Sequence, residues 1–526
     1  MNCIKSLYIE GFKKFVSLDV LFNEHMNILV GENEAGKSTI LDALKTVLNQ
    51  QYRNADKSVL KDLLNVSQVA AFQANPSIRT LPQIIIEVEL TLDPRQKNSD
   101  YFYGEVYGDK KSQPEKYGIR FECKYDAELG TGIEQSILSG NVPYEYYTLT
   151  WTTFANRPYQ MIKRPLNFLS IDTTSSAAAP SFNYYNRTLF TSKYDPVTRA
   201  RAKNEFRVNL EKALESTNLP DISEHRKFGI DSKKVILETV LSVYEDSIAL
   251  ENRGSGMESL IKTQIALDKS NGLNVILMEE PENHLSFSSL QKMLDTISTQ
   301  QENSQIIVAT HSNMIASRLN LKNVLWIAED EVKSLAGVKP DDAEFFVRAD
   351  DNGFLQLLLS KKVFLVEGAT EFLLLPLFYK QLTGRTTEND DVSIISCNGI
   401  SYKRYLEIAK ATNKRIAVVT DNDEELQKIK DADTFNQSAI NQRIFMGKTI
   451  DEWTWEACIY KENKATLDGM ISVKKDAKYL FHEKDYGPVL GKMLQNKVDV
   501  AYQMLTSDTT FVVPQYVKEA IEWLSA

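Results

Sequence analysis

The chain is 526 residues long, 43% hydrophobic and 25% charged, with a formal net charge of -10 at neutral pH. At roughly 150 residues per domain this length predicts three or four compact units with a large core, which excludes a peptide-sized binding module. The acidic balance argues against a protein that coats nucleic acid through bulk charge, and no apolar run reaches the roughly 18 residues that a membrane span needs.

The start, Met1-Asn2-Cys3-Ile4-Lys5-Ser6-Leu7-Tyr8, reads as an amphipathic strand rather than as the basic, apolar and small-residue segments of a signal peptide. A cytoplasmic protein with no membrane partner is expected. Cys3, Cys123, Cys397 and Cys458 have no paired spacing, so they read as buried free thiols, not as zinc ligands or disulfides. Residues 1–30 read as strands, the last of them Met26-Asn27-Ile28-Leu29-Val30. It runs into Gly31-Glu32-Asn33-Glu34-Ala35-Gly36-Lys37-Ser38, a G-x-x-x-x-G-K-[ST] phosphate loop, and then into the helical Thr39-Ile40-Leu41-Asp42-Ala43-Leu44. Backbone N–H groups and a helix N-terminus there converge on phosphate. Gly31, Asn33, Gly36, Lys37, Ser38 and Thr39 are therefore the candidate ATP ligands, with Lys37 on the β/γ phosphates and Ser38 on Mg²⁺.

Far more chain than a minimal nucleotide core needs separates this loop from the next motif, so a helical insertion is expected at about 160–245. Residues 173–180 read as a flexible connection, and 196–218 as a helix with Phe206, Leu210 and Leu214 on one face, a candidate dimerisation element or a solvated surface. Arg253-Gly254-Ser255-Gly256-Met257-Glu258 leads into a helix and resembles the signature loop of ABC-type ATPases; a simple helix N-cap is the plainer reading. As a signature loop, Ser255 and Gly256 would meet the γ-phosphate of a second copy, which implies a homodimer. The apolar strand ending at Glu279-Glu280-Pro281 reads as Walker B. Glu279 would hold Mg²⁺ and Glu280 would orient or deprotonate the attacking water. Gln305-Ile306-Ile307-Val308-Ala309-Thr310-His311-Ser312 is a further buried strand, with His311 placed to sense the γ-phosphate.

A second acidic site follows. The strand Lys362–Val366 ends at Glu367-Gly368, and the next helix opens with Thr370-Glu371 and presents Phe372, Leu373, Leu374 and Leu377 as its expected core face. A second strand ends at Asn398-Gly399, and a third at Asp421-Asn422-Asp423. In a doubly wound sheet the strand ends share one edge, so Glu367, Asp421 and Asp423 are expected to converge there and to bind Mg²⁺ or Mn²⁺.

This arrangement is similar to the Toprim domain of topoisomerases, primases and certain nucleases. Together with the nucleotide motifs it resembles the OLD (overcoming lysogenization defect) family of ATP-dependent endonucleases, over nearly the whole chain and least clearly at 100–250. The resemblance implies an α/β fold: an ABC/SMC-like P-loop ATPase head at 1–355 and a Toprim nuclease domain at 356–526. It implies Glu371 and Glu456 as further acidic metal ligands, Lys497 as a cation at the reacting phosphate, and a closing helix near Val517. It further implies cleavage or nicking of DNA, a homodimer or higher homo-oligomer through the ATPase domain, and service in bacterial defence against phage, alone, with a helicase, or as the effector of a retron reverse transcriptase and its msDNA. RNA stays open as a substrate. The alternatives are a topoisomerase or primase, for which no tyrosine domain or zinc module is evident, and a non-cleaving ATP-gated clamp, against which the chain lacks long heptads. Lys403-Arg404, Lys414-Arg415 and Lys474-Lys475 are candidate phosphate contacts, with solvated surface as the plainer reading.

Overall fold

The alternating apolar residues at the start of the chain form Cys3–Phe12 and Phe15–Leu21, paired antiparallel with Ile9 opposite Leu18. Ile84–Thr91 pairs with the other edge of Cys3–Phe12, and Lys116–Tyr125 with Ile84–Thr91. Tyr147–Thr153 and the short Tyr103–Gly104 both pair with Lys116–Tyr125. The continuously apolar segments form the inner strands of a different sheet, Val324–Ala328, Met26–Gly31, Gln305–Ala309 and Val275–Glu279 in that order, with the polar Glu331–Ser334 at the first edge and Phe168–Asp172 at the other. It is parallel except for Glu331–Ser334. Strands covered on both faces have no reason to alternate, and these do not.

The computed structural model describes residues 1–525 except 106–114, 129–136, 173–179, 218, 221, 223–225, 227, 232–234, 269–271, 301–303, 329–330, 349–352, 398–401, 413 and 475–478. The connection expected from Thr173, the strand end Asn398-Gly399 and Lys475 thus lie outside the described residues.

The helix Lys37–Asn49 joins the two sheets into one core. Its Ile40, Leu41, Leu44 and Val47 cluster with Leu7, Ile9, Val88 and Phe121 and with Leu29, Leu277 and Ile307. The fully buried Gln305 side chain accepts from the Ile4 N–H at 2.8 Å and donates to the carbonyls of Ile4 at 2.7 Å and Asn23 at 2.8 Å. A buried amide that satisfied fixes the register between the sheets. Two sheets sharing a core cannot separate, so the chain divides into two compact units, Met1–Ser334 and Leu335–Ala526, not three or four. The division falls before the boundary at 355 read from the sequence, because Phe346 packs within 5.8 Å of Phe354 and 5.1 Å of Tyr405 in the second unit.

In the first unit, Asp195 caps the helix Pro196–Ser216, its carboxylate accepting from the N–H groups of Val197 and Thr198. Phe206, Leu210 and Leu214 share one stripe there and are only half-buried. Cys3, Cys123, Cys397 and Cys458 are buried free thiols, and burial pushes Cys123 and Cys458 up to about 12. Among the described residues no helix is long and apolar enough to cross a membrane.

The second unit has a parallel sheet in the order Val392–Ser396, Lys362–Val366, Arg415–Val419, Gln442–Phe445. Val366 lies opposite Val419, so Glu367 and Thr420-Asp421 leave the same edge side by side. The helix Gln515–Ser525 buries Tyr516, Val517, Ala520, Ile521 and Leu524. On the helix Ala369–Thr383 the expected core face is corrected: Phe372 is 46% exposed and Leu373 and Leu377 are partly buried, whereas Leu374, Leu375, Phe378 and Tyr379 are buried. Glu371 points inward, and the helical period then places 374, 375 and 378 beneath it.

Candidate nucleotide site and acidic centre

Gly36 has φ 104°, and a Cβ there would lie 2.2 Å from the Phe15 ring, so the turn into the helix Lys37–Asn49 needs glycine. The Lys37 ammonium is 6% exposed and donates to the carbonyls of Gly31 at 2.9 Å and Glu32 at 3.0 Å, folded over its own loop. Burial pulls it down to about 8, against the opposing charges of Glu280 and Glu282. Asn33 and Ser38 are exposed and Thr39 is half-buried. Such a loop can exchange the two carbonyls for phosphate oxygens.

Val275–Glu279 and Gln305–Ala309 are neighbours, with Glu279 opposite Ala309, which brings the Walker B acids beside His311. Glu279 Oε2 lies 3.5 Å from Lys45 Nζ. Glu280 takes a left-handed turn at φ 44°, its Oε1 3.6 Å from His311 Nε2 and its Oε2 accepting from Asn283 Nδ2 at 2.8 Å. Burial, and then the Lys37 charge, hold the imidazole below its ordinary value against Glu280 and Glu282. Sequence reasoning missed Glu282. Its Oε1 accepts from Thr310 Oγ1 at 2.6 Å and from the His311 N–H at 3.0 Å, while its Oε2 is buried without a donor. The only signal for it was a third acid two positions past Glu280. Ser255 and Gly256 open the helix Ser255–Leu267, and a Cβ at Gly256 would reach 2.3 Å from the His284 carbonyl, so this loop seats on the turn after Walker B.

In the second unit Glu367 Oε2 accepts from Thr420 Oγ1 at 3.0 Å and from the Asp421 N–H at 3.3 Å. Asp421 Oδ1 accepts from the N–H of Trp455 at 2.8 Å, at the start of the helix Trp455–Met470 that Thr454 caps. Glu371 and Glu456 are 5% and 3% exposed. Thr370 Oγ1 donates to Glu371 Oε2 at 3.0 Å and lies 3.4 Å from Glu456 Oε1. Lys497 Nζ forms an ion pair with the buried Glu456 Oε2 at 3.0 Å. Burial, then the charges of Glu371, Glu367 and Glu456, push the Asp421 carboxyl well above its ordinary value, with Lys497 opposing. Burial likewise raises Glu371, helped by Glu456 and Glu367. Burial alone would lower the Lys497 ammonium, but Glu456, Asp421 and Glu371 outweigh it and push it up.

The structure thus brings Glu367, Glu371, Asp421, Glu456 and Lys497 together. Asp423 does not join the buried acids as expected: it has φ 52°, its side chain is half exposed, and it pairs with Lys428. Among the described residues no three His, Cys, Asp or Glu side chains close into a ready ion cage. Repulsion between crowded acids sends each to a protein partner instead. The donor set still fits a divalent cation: it is all oxygen, and burial together with the neighbouring acids pushes Asp421 and Glu371 up, which a bound cation would relieve. The basic pairs divide. Arg404 is taken up by Asp342 at 2.7 Å and the Phe345 ring at 4.3 Å, Lys414 by the Ser360 carbonyl and Arg415 by Trp523; Lys403 and Lys474 are exposed.

The family described as "AAA domain" matches residues 6–336, and the one described as "Overcoming lysogenization defect protein-like, TOPRIM domain" matches residues 358–423. The chain is 27% identical over 142 residues to the Old nuclease of Escherichia phage P2, covering 25% of the chain and 24% of that protein. It is 19% identical over 286 residues to structural maintenance of chromosomes protein 6 of Schizosaccharomyces pombe, covering 51% of the chain and 24% of that protein. These matches therefore span about a quarter of each relative's length. The solved C-terminal region of the Burkholderia pseudomallei OLD protein aligns with 32% of the chain and 97% of its own length, at 15% identity and a TM-score of 0.25.

Proposed function

From a chain that belongs to the AAA-domain family and joins it to an OLD-type Toprim domain, and so is a member of the OLD family, we propose an ATP-regulated, metal-dependent endonuclease that cleaves or nicks DNA. The observation that carries this reading is the gathering of the buried Glu371 and Glu456 with the half-buried Asp421, beside Glu367 and the Lys497 ammonium, in which burial and then the neighbouring acids push Glu371 and Asp421 up. Glu367, Glu371, Asp421 and Glu456 would hold Mg²⁺ or Mn²⁺. When bound, such an ion polarises a phosphodiester and stabilises the leaving oxygen. Lys497 would offset charge that builds on the phosphate, from a position fixed by Glu456. Thr420 and the Asp421 N–H orient Glu367, and the Trp455 N–H orients Asp421. In the first unit Lys37 would neutralise ATP phosphates, Ser38 and Glu279 would hold Mg²⁺, and Glu280 would position water with His311 beside it, which Glu282 holds through Thr310 and the His311 backbone.

On this reading the protein works in the cytoplasm as a homodimer or higher homo-oligomer in which Ser255 and Gly256 of one copy complete the nucleotide site of the other. Its role is anti-phage defence, alone or with a helicase or a retron reverse transcriptase and its msDNA. The test is supercoiled plasmid incubated with the protein and Mg²⁺ or Mn²⁺, with and without ATP, beside Glu367→Ala. Metal-dependent nicking that the variant loses is the expected result; undiminished nicking by the variant would refute the assignment, and RNA cleaved in place of plasmid would move the substrate class.

A further inference from the structure

A cavity of about 630 Å³ lies in the second unit, lined by its parallel sheet and by the helices Tyr402–Thr412 and Leu426–Ser438. Helical spacing builds both walls: Tyr402, Leu406 and Lys410 fall on one face of the first helix, and Lys428, Ala432 and Phe435 on one face of the second. Strand residues Leu365, Val418 and Ile444, with Met446 just past the last strand, make an apolar floor. The lining also includes Glu367, Asp421 and Asp423, so the cavity adjoins the acidic centre. Lys410 pairs with Glu407 at 2.6 Å and Lys428 with Asp423, while the Lys403 side chain is exposed beside them.

The volume falls in the range of roughly 300–1,000 Å³ that small-molecule sites occupy, and an apolar floor open beside a charged centre is the usual make-up of such a site. An aromatic ring on each wall offers a stacking surface, and the exposed Lys403 at the rim matches a backbone phosphate. Those features together describe a nucleoside flanked by phosphate. A paired and stacked base cannot enter a slot of this kind, so the occupant has left its stack.

We infer that the cavity receives one unstacked nucleobase and its sugar, from the nucleotide adjoining the phosphodiester held at the acidic centre. The inference rests on the reading that this centre acts on nucleic acid. It makes single-stranded or locally melted strand the preferred substrate, with Tyr402 and Phe435 as stacking residues and Lys403 on a neighbouring phosphate.

The test uses the full chain and two variants. Ala432→Trp fills the slot, and Phe435→Leu removes a ring while keeping an apolar side chain; thermal unfolding checks that each is folded. A single-stranded oligonucleotide carrying 2-aminopurine next to the cleavage position is bound in Ca²⁺, and 2′-deoxyadenosine 5′-monophosphate is titrated separately. The parent should brighten the 2-aminopurine and bind the monophosphate, whereas Ala432→Trp should do neither and cleave at least about tenfold more slowly; Phe435→Leu should show a smaller loss of each. Parental cleavage and brightening by folded Ala432→Trp, or by Phe435→Leu if the tryptophan variant misfolds, overturns the inference. So does a parent that cleaves without brightening the base. Monophosphate binding by a parent that cleaves no nucleic acid would leave the cavity assigned and remove only the nuclease reading.

Discussion

The loop around Lys37 and the cluster around Asp421 both hang from the carboxyl ends of parallel strands, yet the first gathers donors and the second gathers acids. Burial pulls the Lys37 ammonium down to about 8 while it donates to the backbone carbonyls of Gly31 and Glu32. Burial and neighbouring acids push Asp421 up, with one ammonium opposing. In each site the group that burial disfavours is the one whose charge an incoming ligand would relieve, an anion at Lys37 and a cation at Asp421. Similar strand edges are thus made into opposite receptors by what the loops supply.

The largest test of that contrast is to remove each central charge. Asp421→Asn should lower cleavage by at least about 100-fold and leave ATP affinity unchanged, while Lys37→Ala should weaken ATP binding by about 100-fold and leave Mn²⁺ binding at the acids unchanged. Calorimetric titration of ATP and Mn²⁺ into both variants checks this; a variant that loses both ligands breaks the contrast. A smaller effect is expected at Glu282, whose carboxylate holds Thr310 and the His311 backbone. Glu282→Gln keeps the acceptor oxygen but loses its charge, so ATP turnover should fall about tenfold with ATP affinity retained. Unchanged turnover would make Glu282 a bystander.

Removing one acid should also stabilise the metal-free protein. Because Glu371 is raised in the folded state, the unfolded chain gives up this proton first, and stability is lost as pH climbs from the ordinary carboxylate range through the raised folded value. Glu371→Gln escapes that loss. In chelator at pH 8 the unfolding transition of the second unit should rise by roughly 2–4 °C, about 1 kcal/mol, and the gain should vanish near pH 4. Calorimetry at the two pH values measures it, and a variant less stable than the parent at pH 8 would show that the acids are not in conflict.

What could be read in the chain follows from what is local. The phosphate loop, the Walker B strand and the strand ends at Glu367 and Asp421 are contiguous patterns whose geometry is set within a few residues. Apolar content alone misplaced the core face of Ala369–Thr383, because Glu371 itself is buried there, next to Thr370, which reaches Glu456 86 positions further along the chain. Asp423 looked like the partner of Asp421, but a left-handed backbone and Lys428 turn it elsewhere. Glu282 had no motif to announce it; its role comes from pairing with a separate strand end at Thr310. The division after Ser334 depends on aromatic packing between Phe346 and Tyr405 that no periodicity reveals.

The smallest effect sharpens the acidic side of the contrast, because a cation-binding centre that acts on nucleic acid still needs cations of its own for the backbone. Lys403 and Arg404 are adjacent in sequence and opposite in fate. Arg404 donates to Asp342 at 2.7 Å and stacks on Phe345, whereas Lys403 is exposed at the cavity. Arg404→Gln should therefore cost about 1–2 kcal/mol of stability and leave the salt dependence of binding alone. Lys403→Gln should change stability by no more than about 0.5 kcal/mol and weaken oligonucleotide binding only a few-fold. Its signature is the slope of log affinity against log salt, which should become shallower by about one unit as one phosphate contact is lost. Fluorescence anisotropy between 50 and 200 mM salt, roughly the range over which counterion release is read, separates the two. A shallower slope for Arg404→Gln with none for Lys403→Gln would put the phosphate track on the other side of this helix, away from the acids.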